Sequence, residues 1–176
     1  MSFFQRTEDF QPEGFEDVVG ELVDSIRRSF TSVVVDHLED LLAVPHRQMC
    51  LVDRHVSLTE GDRDYTIDLL LFHVTQMRYI AIQVQAGRFD PALVARVRYT
   101  LDLVDDLFRV PAVHAPSVGV LLCTDAAADQ EPGPVAITLY DGVTPTEQAE
   151  LPHSLELTAL IDRCLDTTDA RPSTPR

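Results

Sequence analysis

The chain has 176 residues, 45% of them hydrophobic, with 29 acidic against 14 basic side chains and a net charge of −15. That length suits one domain with a proper core and is short for two. The charge argues against a freely acting nucleic-acid binder, which needs a basic footprint for phosphate, and no apolar run reaches the ~20 residues of a membrane span.

Residues 1–14 read as irregular. From Phe15 to Ala43 the apolar residues Val18, Val19, Leu22, Val23, Ile26, Phe30, Val33, Val34, Leu38, Leu41 and Leu42 recur at three- and four-residue steps, which predicts a helix. It is long for a globular helix, and the β-branched stretch Thr31 to Val35 is a place to bend or split it. Pro45 ends it. Next come "MCLVDRHVSLT", the turn-like "EGDRD", "YTIDLLLFHV", a short "TQM" and "RYIAIQVQ". Three extended segments joined by short polar turns predict an antiparallel meander.

Asp90 fits an N-cap and Pro91 the first helical position. Leu93, Val94, Val97, Leu101, Val104, Leu107 and Phe108 form the stripe of that helix, and Pro111 closes it. "SVGVLLCTD" reads as a central strand because it is apolar nearly throughout. "AAADQEPG" reads as a loop and "VAITLYD" as another strand. Ser154 caps a last short helix carrying Leu157, Leu160, Ile161 and Leu165, and residues 167–176 read as a disordered tail. The expected division is 1–14 irregular, 15–45 a helical segment on the core, and 46–166 the core itself. The expected fold class is α/β, with helices bracketing a mixed sheet.

Cys50, Cys123 and Cys164 are odd in number and widely spaced, with no CxxC or Cys/His cluster. Neither a disulfide framework nor a zinc site is implied; buried free thiols are expected. The N-terminus "MSFFQRTEDF" has an acidic pair where a signal peptide needs its apolar core, so a cytoplasmic protein is expected. All the basic side chains other than histidine are arginine, and no lysine occurs.

Asp68 sits among apolar neighbours in "YTIDLLLFHV". A carboxylate in a sheet core is costly unless it is paired, hydrogen-bonded or bound to metal. On the next strand Ile80, Ile82 and Val84 alternate with Ala81, Gln83 and Gln85. "DYTIDLLLFHV", "RYIAIQVQAGRFDPALVARVRYTLDLVDD" and "PSVGVLLCTD" resemble the PDDEXK nuclease domain of the YhcG family over roughly residues 33 to 152. The resemblance implies a restriction-endonuclease-like αβββαβ core. It places Asp68 on the family's metal-binding aspartate, Gln83 on the glutamate of Glu-x-Lys and Gln85 on its lysine. Asp36 falls near the acid that the first helix contributes, with Glu39 the neighbouring option; Gly87, Phe89 and the Asp105–Asp106 pair also match.

Glutamine for lysine is tolerable, since water can be oriented without an ammonium. Glutamine for glutamate keeps the shape and loses the charge that a hard cation needs. A carboxylate from elsewhere is a rescue, with Asp90, Asp102 and Asp64 the candidates by nearness in sequence. The alternative is a neutral hydrogen-bond network of Gln83, Gln85 and Asp68, with Asp68 held by backbone donors or Arg78. His73 ends its strand where the family tends to carry histidine. His37, His46, His55, His114 and His153 show no ligand spacing and read as solvent or loop positions. Arg96, Arg98 and Arg109 read as partners of Asp102, Asp105 or Asp106.

The expected protein is therefore a nuclease-fold domain with a degraded metal site, inactive and acting through protein binding or self-association. No cofactor is expected. The alternative is an active Mg²⁺- or Mn²⁺-dependent DNA endonuclease using Asp68 and a relocated carboxylate on DNA delivered by a partner. A third reading has the acidic surface compete for a basic protein's nucleic-acid site. Only some thirty residues precede the core, so the separate N-terminal domain common in the family is expected to be absent. The long first helix is the candidate contact surface for a protein partner or a homo-oligomer.

Overall fold

A computed structural model of the protein describes residues 15–169. The expected irregular segment 1–14 and the end of the expected tail, 170–176, lie outside the described residues. The order is α1 (Phe15–Leu42), β1 (Met49–Glu60), β2 (Arg63–His73), β3 (Arg78–Arg88), α2 (Pro91–Phe108), β4 (Val118–Asp125), β5 (Val135–Leu139), α3 (Pro145–Gln148) and α4 (Ser154–Asp169). The five strands lie in the order β1-β2-β3-β4-β5. All neighbours are antiparallel except β3 and β4, which α2 joins by the crossover that a parallel pair requires. No described helix is long and apolar enough to cross a membrane.

Strand alternation sorts the core onto two faces. Leu69, Leu71, Ile80, Ile82, Val118, Val120 and Leu122 face one way and pack with Val34, Val35, Leu38 and Leu42 of α1 and Leu157, Leu160 and Ile161 of α4. Leu70 and Ala81 face the other way, against Leu103 and Val104 of α2. Leu121 and Cys123 pack there against Val97. With helices on both faces, "VGVLLC" is buried at every position. Gly119 lets α2 approach, since a Cβ there would stand 3.0 Å from Leu101 Cδ1 and 3.1 Å from Val97 Cγ1.

Several expectations are corrected. Helix α1 is unbroken from Phe15 to Leu42, because the β-branched run supplies Val34 and Val35 to the core instead of a bend. The β1–β2 turn shrinks to Gly61 and Asp62, Gly61 adopting φ 59°. Helix α4 continues through residues 167–169 of the expected tail. The short α3 was missed; its signal is a Thr144/Glu147 capping box with Pro145 at the first turn. Cys50 is exposed, while Cys123 and Cys164 are buried; burial pushes the Cys123 thiol up to about 11.

His73 closes β2 and is 1% exposed. Its Nδ1 accepts the Gln76 N–H at 3.2 Å, which leaves the proton of the neutral ring on Nε2. Among the described residues Nε2 makes no hydrogen bond of good geometry, and it lies 3.8 Å from the Glu150 carboxylate. Burial holds the His73 pKa below its ordinary value of 6.5, Glu150 opposing. The folded state therefore takes up a proton less readily than the unfolded chain. The His73 contribution is intact above pH 6.5 and is lost as pH falls through that value toward the lower folded pKa. We expect the thermal midpoint to fall on acidification through that window, and His73→Gln, which keeps an acceptor for Gln76, to flatten the slope. Melting curves of both proteins across pH check this.

Candidate functional site

The sheet forks. β2 and β3 pair from His73↔Arg78 to Leu69↔Ile82 and no further. β2 stays with β1 as far as Glu60↔Arg63, and β3 stays with β4 through Gln85↔Cys123. Backbone groups inside the fork lose their ladder partners, and an unpaired buried N–H costs about 1–3 kcal/mol. Side chains take over. The Val84 N–H donates to Asp68 Oδ2 at 2.7 Å. The Gln83 amide donates to the Thr66 carbonyl at 2.8 Å and lies 3.4 Å from the Thr100 hydroxyl on α2.

Asp68 is 16% exposed. Burial raises its pKa above the ordinary carboxylate value, partly offset by the Val84 N–H and by His55. His55 Nδ1 lies 3.9 Å from Asp68 Oδ1. His55 holds φ 50° within β1, a left-handed backbone that a non-glycine residue rarely adopts. The β1–β2 register passes from Arg54↔Leu69 to Val56↔Ile67 at this point, so His55 sits opposite Asp68. Sequence reasoning placed His55 among the solvent or loop histidines; the structure puts it at the fork. Its alternation within "DRHVS" carries no ligand spacing that would have found it.

The mouth of the fork is an open hollow of about 460 Å³ beneath α1, lined by Asp68, His55 and Gln85 below and by Arg27, Arg28, Thr31 and Ser32 above. Among the described residues Asp68 is the one carboxylate on this wall. Asp36 and Glu39 do not line it. Both pair with Arg54 on β1, Asp36 at 2.6 Å. The two sets lie at different heights on α1: arginine and hydroxyl groups from 27 to 32 stand over the fork, and the acids at 36 and 39 meet Arg54.

The expected network of Asp68 with both glutamines is corrected as well. Gln83 is turned to Thr66 and Thr100 and is buried, while Gln85 lines the hollow with no side-chain hydrogen bond among the described residues. Arg78 bonds Glu147 at 3.0 Å, not Asp68. Of the nearby acids, Asp90 caps α2 through the Ala92 N–H, Asp64 accepts from Thr59, and Asp102 is exposed on α2. Asp105 takes the Ser117 N–H at 3.0 Å and Arg109 at 3.5 Å, so it ties the end of α2 to the start of β4. Arg98 pairs with Asp141 and Arg96 lines a separate hollow with Asp62 and Asp64, so only Arg109 meets its expected kind of partner.

Chemically, the fork offers one buried carboxylate with a raised pKa, one imidazole, one free carboxamide and two guanidiniums. Hard divalent cations take several oxygen ligands, most of them anionic. Among the described residues no group of three or more histidine, cysteine, aspartate or glutamate side chains is placed to hold a metal ion.

A family model described as the YhcG PDDEXK nuclease domain matches residues 17–139. A search of curated proteins and one of solved structures gave no significant match. The matched span runs from α1 to β5 and contains the α1-β1-β2-β3-α2-β4 core and the whole fork. The mixed five-stranded sheet between helices is the restriction-endonuclease-like arrangement, and the chain belongs to the YhcG PDDEXK nuclease domain family.

Proposed function

We propose that this domain keeps the nuclease fold with a degraded metal site, is catalytically inactive, and acts through contacts with another protein chain. The observation that carries the reading is the make-up of the fork: Asp68 is the sole carboxylate lining it among the described residues, and neutral glutamines stand at the two positions that answer to Glu-x-Lys. One anionic oxygen donor set, facing arginines, is a poor ligand field for Mg²⁺. None of Asp36, Asp64, Asp90 or Asp102 lines the hollow to replace the missing charge.

Two features support the contact role. Residues 20–29 of α1 are exposed throughout, and Leu22 and Ile26 are 59% and 58% exposed on one side of that helix. Exposed apolar groups spaced four apart on a projecting helix form the kind of face that partner helices cover. The net charge of −15 disfavours DNA as a direct partner.

The direct test is cleavage. Plasmid and single-stranded DNA stay intact with Mg²⁺ or Mn²⁺, and calorimetry detects no Mn²⁺ binding. Cleavage that disappears in Asp68→Asn overturns the reading in favour of an active nuclease. Restoring the motif with Gln83→Glu plus Gln85→Lys places a carboxylate against the Thr66 carbonyl in place of an amide donor. The double variant melts lower without metal, by about 1–3 kcal/mol of lost stability, and Mn²⁺ raises its midpoint where it leaves the parent unchanged.

A carboxylate kept without a cation is a burden on the fold. The raised pKa of Asp68 means that the folded state binds a proton more readily than the unfolded chain. That burden is fully present above the folded pKa and vanishes as pH falls through it to the ordinary 3.8. Asp68→Asn keeps an oxygen for the Val84 N–H, so it raises the midpoint at neutral pH, with the gain shrinking on acidification. Thermal melts at several pH values read this out, and a lowered midpoint at neutral pH contradicts it.

A further inference from the structure

We infer that the fork hollow binds a small phosphate-bearing anion of nucleotide size, held directly by side chains of α1 and β3 with no metal between. The inference rests on the proposed loss of the metal site and names what the altered site takes.

The α1 wall of the hollow is cationic and hydroxylated. Four polar residues of α1 line the hollow in two rows, Arg27 with Thr31 and Arg28 with Ser32, each pair four residues apart and so on one face of the helix. The same face, one to three turns further on, is Val35, Leu38 and Leu42, all fully buried or nearly so. The sheet-facing stripe of α1 is thus apolar over the core and cationic and hydroxylated over the fork. Arg28 has no ion-pair partner among the described residues, and Arg27 has only Asp24 at 3.8 Å in solvent. Guanidinium donors match the oxygens of phosphate in pairs, and hydroxyls supply further donors.

The floor agrees with the roof. Gln85 offers an amide with no hydrogen bond of its own among the described residues. His55, held in a left-handed backbone opposite Asp68, lines the same space with an imidazole. Strained residues of this kind persist where the fold over-determines them, and they concentrate at ligand sites. Asp68 lines the floor as well, with its Oδ2 committed to the Val84 N–H and its Oδ1 3.9 Å from His55 Nδ1. The opening of about 460 Å³ falls in the range of small-ligand sites. A chain with net charge −15 repels a long polyanion far more than a single nucleotide, which favours the small ligand over a nucleic-acid strand.

The test uses the full chain in EDTA, titrated calorimetrically with inorganic phosphate, a nucleoside diphosphate and a single-stranded oligonucleotide. The diphosphate binds, phosphate competes with it more weakly, and affinity falls with added salt. Arg28→Ala weakens binding by about tenfold or more, as expected for loss of a charge-assisted hydrogen bond, and Arg28→Lys recovers part of it. Arg28 is exposed, so unchanged melting of the free variants keeps the comparison clean. Arg63→Ala, in the separate hollow beside Asp62 and Asp64, leaves affinity unchanged. Absence of phosphate and diphosphate binding overturns the inference, as does binding that is indifferent to Arg28→Ala. Tighter binding of the oligonucleotide than of the diphosphate overturns the small ligand. Anion binding that appears only with Mn²⁺ overturns both this inference and the degraded-site reading. Failure of anion binding with no Mn²⁺ binding overturns this inference alone.

Discussion

The bond from the Val84 N–H to the Asp68 carboxylate is the constraint on which the middle of the sheet depends. A sheet that forks must leave backbone groups without ladder partners on the inner edges of both arms. Asp68 serves one of them, and the Gln83 amide serves the Thr66 carbonyl on the opposite arm. Asp68 and Gln83 are therefore the struts of the fork. Glutamine at position 83 is isosteric with glutamate, yet it is a donor, and a donor is what the Thr66 carbonyl needs.

Much of the fold was legible because the patterns were strong. "VGVLLC" has the continuous apolarity of a strand covered on both faces, and "YIAIQVQ" alternates cleanly. Asp90 and Pro91 announce the start of α2, and the Asp90 side chain does accept the Ala92 N–H. The errors lie where local signals are weak or compete. The four-residue α3 is too short for any periodicity, and only its capping box marks it. The β-branched run in α1 was weighed by intrinsic propensity, whereas burial of Val34 and Val35 decides the outcome.

At the fork, the sequence singled out Asp68, Gln83 and Gln85; Asp68 and Gln85 line the hollow, Gln83 is turned to Thr66 and Thr100, and the way α1 meets them was missed. It looked for an acid and found Asp36 and Glu39, which Arg54 neutralises. The informative signal was the helix stripe. Stepping back by three and four from Leu42 and Leu38 through Val35 leads to Thr31 and then to Arg27 and Arg28, so the polar stretch of the core-facing stripe was readable. What it stood over was not, because the fork arises from pairing between residues far apart in the chain. His55 was illegible for a similar reason: its position depends on a left-handed turn of the backbone inside a strand.

That same turn limits how copies of this chain can assemble. β1 is an edge strand of twelve residues, long enough to template a further strand from another chain. Its ladder is shifted between Leu51 and Asp53 and kinked again at His55. Two breaks in so short a stretch leave no long straight run of free donors and acceptors on that edge. Sheet-to-sheet accretion is discouraged by these breaks, and the exposed Asp53, Arg54 and Glu60 on the same strand add charge to the edge. The exposed apolar side chains lie elsewhere, on the half of α1 that carries Leu22 and Ile26, where geometry and composition can discriminate in a way that backbone pairing cannot.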